Sequence, residues 1–272
     1  KNTSQKSADY SNIMNKFRPG HEDYTFYKKY GIRDYRGGGR SSGRETLARV
    51  AGGEIAKMVL EQLLPSIKII ASTTEVAGIK ATEYDESQIE KNSVRCADVK
   101  IASQMEEKIS QFRKEGDSCG GIVECRVSGM IAGIGEPVFD KLDAELAKAM
   151  LSIGAVKGIE FGEGFNSARM TGSVWNDKMR VSEDGKITFE TNHAGGILGG
   201  ISNGNQIVFR LAVKPVPSIF IAQKTVNKAG ENIDLEIKGR HDVCLAPRIV
   251  PVVEAMAAIT ILDLLLQQKI VN

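Results

Sequence analysis

Apolar positions recur at helical spacing in several stretches of the chain. Leu47, Ala51, Ile55, Met58 and Leu63 predict a helix over about 43–64, with these residues on its apolar face. Ser42 with Glu45 three residues on predicts a capping box at its start. Gly52 and Gly53 fall inside that pattern and imply a close neighbour, because each costs about 1 kcal/mol relative to alanine. A second helix is expected over 98–115, using Ile101, Met105, Ile109 and Phe112 and stopping at Gly116. A third follows Pro137, with Phe139, Leu142, Leu146 and Ala149. The last starts at Pro251, is apolar all round and is expected to be buried. Strands are expected over 122–130, 155–161, 207–213 and 233–238, and a long polar loop or flap over 162–190. Strands and helices do not alternate strictly, which favours an α+β fold over a doubly wound sheet.

Composition narrows the function class. The 272 residues carry 42% hydrophobic and 26% charged residues, as ordinary globular proteins do. The 36 basic and 34 acidic side chains leave a net charge of +2, so neither a nucleic-acid-binding coat nor a membrane-surface coat is expected. Pro251, Glu254 and Asp263 interrupt the most apolar stretch, Val250 to Leu266, and argue against a membrane span. Cys96, Cys119, Cys125 and Cys244 show no Cys-x-x-Cys spacing, and plain reduced thiols are expected. No signal peptide opens the chain, and the expected location is cytoplasmic. No repeat or linker divides it, so a single domain over 1–272 is expected.

The chemistry concentrates in a few segments. Arg40-Ser41-Ser42-Gly43-Arg44 precedes a helix, where free N–H groups and the dipole attract anions. Two arginines there oppose the dipole unless an anionic ligand offsets them; a capped surface helix with solvated arginines is the alternative. His21, after Arg18-Pro19-Gly20, suits proton transfer near neutral pH or is an exposed loop residue. His193 heads a glycine-rich run and reads equally as a turn residue. Arg240-His241-Asp242 supplies either a charge clamp with a carboxylate base or a surface ion pair. Lys214 to Ser218 holds two prolines that stiffen the exit of a strand. No metal-ligand spacing, Walker loop or dinucleotide-binding glycine motif is present.

Several longer runs go further. They are Phe17-Arg-Pro-Gly-His-Glu-Asp-Tyr-Thr25, Lys29 through Thr46, Gly135-Glu-Pro-Val-Phe-Asp140, Ala155-Val-Lys-Gly158, Asn192 through Ser202, Gly239-Arg-His-Asp242 and Pro247 through Met256. In this order, over nearly the whole chain, they resemble chorismate synthase. The resemblance implies a sandwich of helices between antiparallel sheets, assembled as a homotetramer. It also implies a carbon–oxygen lyase that turns 5-enolpyruvylshikimate 3-phosphate into chorismate and phosphate by anti-1,4-elimination. The cofactor it implies is reduced FMN, with no net redox change; NADPH would act only as a source of reduced flavin, through an external flavin reductase. By matching position, His21, Ser42 and Asp242 would be catalytic, and Arg18 and Arg44 would bind substrate. Arg40, Ser41, Ser42, Gly154, Ala155, Gly199, Lys214, Pro215, Val216, Pro217, Ser218 and Arg240 would form the FMN site. Gly43 and Val243 replace the family's usual alanine and proline. The family's Gly-Glu-Ser-His-Gly motif, with a further catalytic histidine, is missing, which leads to the expectation of an N-terminally truncated or incompletely represented chain. The alternative is a catalytically incomplete fragment that only binds FMN or a phosphorylated ligand.

Overall fold

The computed structural model describes residues 12–271 apart from 37, 40, 41, 238 and 240, without the side chains of 269–271. Its centre is α6 (Ala246–Val271), in which no residue from Ile249 to Leu262 is exposed. By length and apolar composition Ala246–Gln268 would cross a membrane, yet its buried residues belong to the main core. α6 begins before Pro251, which lies inside it. Proline has no N–H to donate to the carbonyl four residues back. That carbonyl, of Pro247, instead accepts from Arg95 Nη1 at 3.1 Å.

One face of α6 lies on a five-stranded antiparallel sheet of order β2-β1-β3-β9-β4. Its strands are β1 (Lys68–Val76), β2 (Ile79–Lys80), β3 (Gly121–Ser128), β4 (Val156–Phe161) and β9 (Ile207–Val213). Strand alternation sends Val123, Cys125, Val127, Ile207, Phe209 and Leu211 into the core. The opposite face is polar: Glu124 pairs with Arg126 at 2.7 Å, and Arg210 with Glu160 at 2.9 Å. These residues line a groove of about 300 Å³. Beyond β2, the edge of β1 is guarded by side chain and loop. Glu254 of α6 accepts the Ala71 N–H at 2.8 Å, and the Arg95 carbonyl accepts that of Thr73 at 2.9 Å.

On its other side α6 meets α2 (Thr46–Leu63) and α4 (Leu142–Leu151). Gly53 faces Ala255 so closely that a Cβ on it would stand 2.3 Å from the alanine Cβ. Gly52 has no such neighbour, its nearest being Ile259 Cδ1 at 3.9 Å. The close crossing selects small residues, so the expected apolar face of α2 is not the buried one. Gly53, Ala56 and Leu60 are buried, whereas Leu47 is 77% and Ile55 65% exposed. The capping box also fails. Ser42 accepts from the Arg44 N–H at 3.4 Å in a separate 3-10 turn, Gly43–Glu45, while Glu45 pairs with Arg49.

α3 (Val99–Glu115) runs as expected, with Asp98 capping the Lys100 and Ile101 N–H groups and left-handed Gly116 ending it. α4 starts later than expected, leaving Phe139 88% exposed. The expected loop at 162–190 is partly ordered into a 3-10 turn (Gly164–Arg169), α5 (Gly172–Trp175) and a hairpin of β5 (Met179–Val181) and β6 (Ile187–Phe189). It is pinned by Asp177, which accepts from the backbones of His193 and Ala194 at 2.7 and 3.0 Å. β7 (Ile197–Leu198) and β8 (Ile201–Ser202) form a small hairpin. β10 (Gln223–Val226) pairs with β11 (Asn232–Leu235), the latter shorter than expected.

The α2–α6 contact makes a paired prediction. Gly53→Ala is expected to lower stability by about 1–3 kcal/mol through overpacking. Gly52→Ala is expected to raise it by up to about 1 kcal/mol through helix propensity. Urea unfolding of both variants decides; equal and opposite-signed results to these would remove the close crossing as the reason for Gly53.

Candidate active site

The segment Phe17–Arg33 folds around one buried carboxylate. Phe17 is held by the β10 strand, its N–H donating to the Val226 carbonyl at 3.2 Å. Pro19-Gly20 then turn the chain, Gly20 at φ +68°, into α1 (Asp23–Tyr30). Asp23 occupies the first turn of that helix, where the dipole favours a negative charge, and is 4% exposed. It accepts from Arg18 Nε at 2.7 Å, Arg18 Nη2 at 3.0 Å and Arg33 Nη1 at 2.8 Å. Burial alone would raise its pKa. The hydrogen bonds from His21 and Arg18 and their charges outweigh burial and hold it well below the usual carboxylate range.

Arg33 is itself fastened to backbone, donating to the carbonyls of Ile13 and, at 2.6 Å, Lys16. Burial lowers its pKa, partly countered by Asp23. Arg18 is 8% exposed and reaches further, its Nη1 donating to Ser218 Oγ at 3.3 Å. His21 Nδ1 lies 3.2 Å from both Arg18 Nη2 and Asp23 Oδ1. Protonation therefore selects its partner: bare Nδ1 accepts from Arg18, and Nδ1–H donates to Asp23. With a side chain 19% exposed, His21 is not the free loop residue that sequence alone allows.

Lys214 through Ser218 close over this cluster. Lys214 Nζ donates to the Gly20 carbonyl, and a Cβ on Gly20 would lie 3.5 Å from Pro217 Cβ. The Lys214 N–H donates to the carbonyl of Ala155 at 3.0 Å, a residue at φ +75°. Burial lowers the Lys214 pKa, with Lys157 adding to the effect and Glu22 opposing it. The Val216 carbonyl accepts from Ser118 Oγ at 2.7 Å. Cys119, the next residue, donates its N–H to the carbonyl of Val243 at 2.9 Å, beside Asp242. Asp242 pairs with Arg248 at 2.8 Å on the first turn of α6.

The structure thus joins Arg18, His21, Ala155, Lys214, Pro217 and Ser218, and links Asp242 to them indirectly, through the bonds of Ser118 to Val216 and of Cys119 to Val243. Ser42 and Arg44 lie at the separate turn before α2, where Arg44 is exposed. Gly199, at φ +61°, turns the β7–β8 hairpin, and next to it the Gly200 carbonyl accepts from the Leu142 N–H. No hydrogen bond or ion pair among the described residues ties that hairpin to the cluster. Arg40, Ser41 and Arg240 lie outside the described residues. Sequence reasoning missed Asp23 and Arg33. The signal was an acidic residue in a first helical turn with arginines five residues before and ten after it, a spacing that no local motif encodes. His193 is structural, its Nδ1 meeting the Trp175 carbonyl at 3.1 Å and Asp177 at 3.4 Å.

Comparison with known proteins shows the family. A family model described as chorismate synthase matches residues 1–266. The chorismate synthase of Roseiflexus castenholzii is 53% identical over 269 residues, covering 99% of this chain and 75% of its own length. That of Methanosarcina mazei is 52% identical, covering 100% of this chain and 75% of its own. A chorismate synthase crystal structure superposes with a TM-score of 0.75 at 28% identity, over 90% of this chain and 70% of that one. The chain belongs to the chorismate synthase family.

Proposed function

We propose that the protein converts 5-enolpyruvylshikimate 3-phosphate to chorismate and phosphate as a carbon–oxygen lyase, with reduced FMN as bound cofactor. The observation that carries this reading is the convergence of Arg18, His21 and Ser218, the outer two 200 positions apart in sequence. The substrate bears a phosphate and two carboxylates, and a guanidinium already oriented by a buried aspartate meets such an anion without further ordering.

The donor set fits a flavin phosphate. Lys214 is a half-buried cation with Lys157 nearby, and a bound anion would offset the cost of burying it. Around it, Ala155 is held in a left-handed conformation and a Cβ on Gly154 would meet nothing within 4 Å, leaving room for a ligand. Lys214 through Ser218, with Gly154 and Ala155, would hold the cofactor, and Arg40, Ser41, Ser42, Gly199 and Arg240 complete the proposed set. When bound, reduced flavin would supply electron density for the departure of phosphate, with no net redox change.

The chain's own groups do the rest. Arg18 binds the anionic substrate, joined by Arg44. His21 holds a proton at Nδ1 against Asp23, with its Nε2 3.9 Å from Glu22 Oε1. Asp242 is the carboxylate at which the departing C6 proton ends, and Ser42 supports proton movement. The protein acts as a single domain in a cytoplasmic homotetramer, and an external reductase using NADPH supplies its reduced flavin.

Two experiments test this reading. The chain, and a version extended to the length of its relatives, are assayed anaerobically with chemically reduced FMN and the substrate, following chorismate by absorbance. Turnover is expected, with His21→Ala slower by about 10²–10⁴-fold. Failure of both versions to turn over or to bind reduced FMN overturns it. Asp23→Asn strands two guanidinium groups and is expected to cost about 3–5 kcal/mol at pH 7. The wild-type carboxylate has a depressed folded pKa, so its contribution is complete above the unfolded value of about 4 and declines progressively as pH falls from there through the lower folded value. Urea titrations should therefore show the gap to Asp23→Asn closing toward pH 3; a constant gap would mean that Asp23 charge is not what holds the cluster.

A further inference from the structure

Arg49 lies in the first turn of α2, where a cation opposes that helix's own dipole. Its partners lie on three other elements. Nε donates to Glu45 Oε2 at 2.9 Å, Nη1 to Ser152 Oγ at 2.6 Å and Nη2 to the Ser152 carbonyl at 3.3 Å. Nη1 also meets Met256 Sδ of α6 at 3.8 Å. Glu45 closes the Gly43–Glu45 turn, whose N-cap is Ser42. Ser152 ends α4, and its hydroxyl donates to the Ala149 carbonyl at 2.6 Å while accepting from Arg49. The guanidinium thus meets the negative end of the α4 dipole and takes a carbonyl at the end of that helix.

Beyond Ser152 the chain turns tightly. The Val156 N–H donates to the Ile153 carbonyl at 3.2 Å, with Gly154 and Ala155 at the corner. Ala155 stands at φ +75°, a region alanine rarely adopts, so contacts from outside the turn have to hold it. One is the Lys214 N–H on the Ala155 carbonyl at 3.0 Å. Arg49 supplies another by fixing Ser152 at the entry to the turn. We propose that Arg49 is a positioning residue for the cofactor: it ties the Ser42 turn to the Gly154–Ala155 turn and so sets two pieces of the flavin site at one spacing, an inference that rests on the flavin reading above. Its hydrogen bonds go to protein groups, and it acts through them. Lysine cannot replace it, because one ammonium does not offer the planar fork that reaches Glu45 and both oxygens of Ser152 together.

The test compares wild type, Arg49→Lys and Arg49→Met, both as the chain and as the version extended to the length of its relatives. Anaerobic calorimetric titration with dithionite-reduced FMN gives each dissociation constant. Both substitutions are expected to weaken binding by about tenfold or more, the scale of a lost charged hydrogen-bond set. In turnover the KM for FMN should rise by a similar factor, with kcat at saturating FMN kept within about twofold. Without any ligand, deuterium exchange over residues 150–156 should quicken in both variants, and that of α3 should not. A brace that serves the fold alone would lower the melting temperature and leave the dissociation constant unchanged. That result beside a wild type that binds FMN, or full rescue by lysine, overturns this inference alone. A wild type that binds no reduced FMN in either form overturns the flavin reading and this inference with it.

Discussion

A helix that is apolar around its whole circumference has to be covered on every side, and α6 is such a helix. Sheet strands β1 and β3 take one side, and α2 and α4 take another. The requirement sets details that look unrelated. α2 offers glycine and alanine because its axis has to come close at Ala255. Glu254, a charged residue in the apolar run, is tolerated because its carboxylate meets both the Ala71 N–H and Lys57 Nζ, at 2.8 and 2.7 Å. Pro251 is tolerated because Arg95 takes the carbonyl that the helix leaves unpaired. The same burial fixes the N-terminal end of α6, and with it Asp242, Cys244 and Arg248.

The candidate site depends on a second, electrostatic constraint. Two guanidinium groups and an imidazole gather at Asp23, leaving more cationic than anionic capacity in a nearly dry place. A buried ion pair of this kind is a weak source of stability, since desolvation consumes most of the attraction. Its value lies in orientation. Arg33 is committed to backbone carbonyls and Asp23, which leaves Arg18 as the member whose remaining donor points across to Ser218. Lys214 adds a further cation from the strand side. The surplus of positive charge is local, and the chain as a whole is balanced at +2. An overall charge therefore conveys nothing about a cluster of this size.

What the sequence made legible follows the range of the interactions involved. β9 matches its expected bounds because alternation over 207–213 is a local signal, and α3 matches because Asp98 and Gly116 cap it locally. The burial of the last helix was legible for the same reason. The buried face of α2 was not, because Leu47, Ile55 and Met58 are the better apolar stripe and only contact with Ala255 makes the glycine face win. α1, β1 and β10 were not anticipated, and the pairing of β10 with β11 depends on a turn rather than a long alternating run. Motif resemblance found His21, Arg18 and the Lys214–Ser218 strap as separate pieces. It did not find Asp23 as the atom-level link among them, since a buried carboxylate and a surface one read alike in a sequence.

The two constraints meet at one place. Ser118 to Gly120 are wedged between the strap and the segment entering α6: a Cβ on Gly120 would stand 2.6 Å from the Val213 carbonyl oxygen. The Ser118 hydroxyl holds the strap on one side, and the Cys119 N–H holds Val243 on the other. Asp242 is thereby set relative to Lys214 and Ser218 through three consecutive residues of β3's lead-in, although no side chain of the proposed site belongs to that lead-in. Because α6 is immobilised by its own burial, the lead-in has a fixed wall to press against. The geometry of the strap is then inherited from the core, and the arginine cluster needs only to meet it.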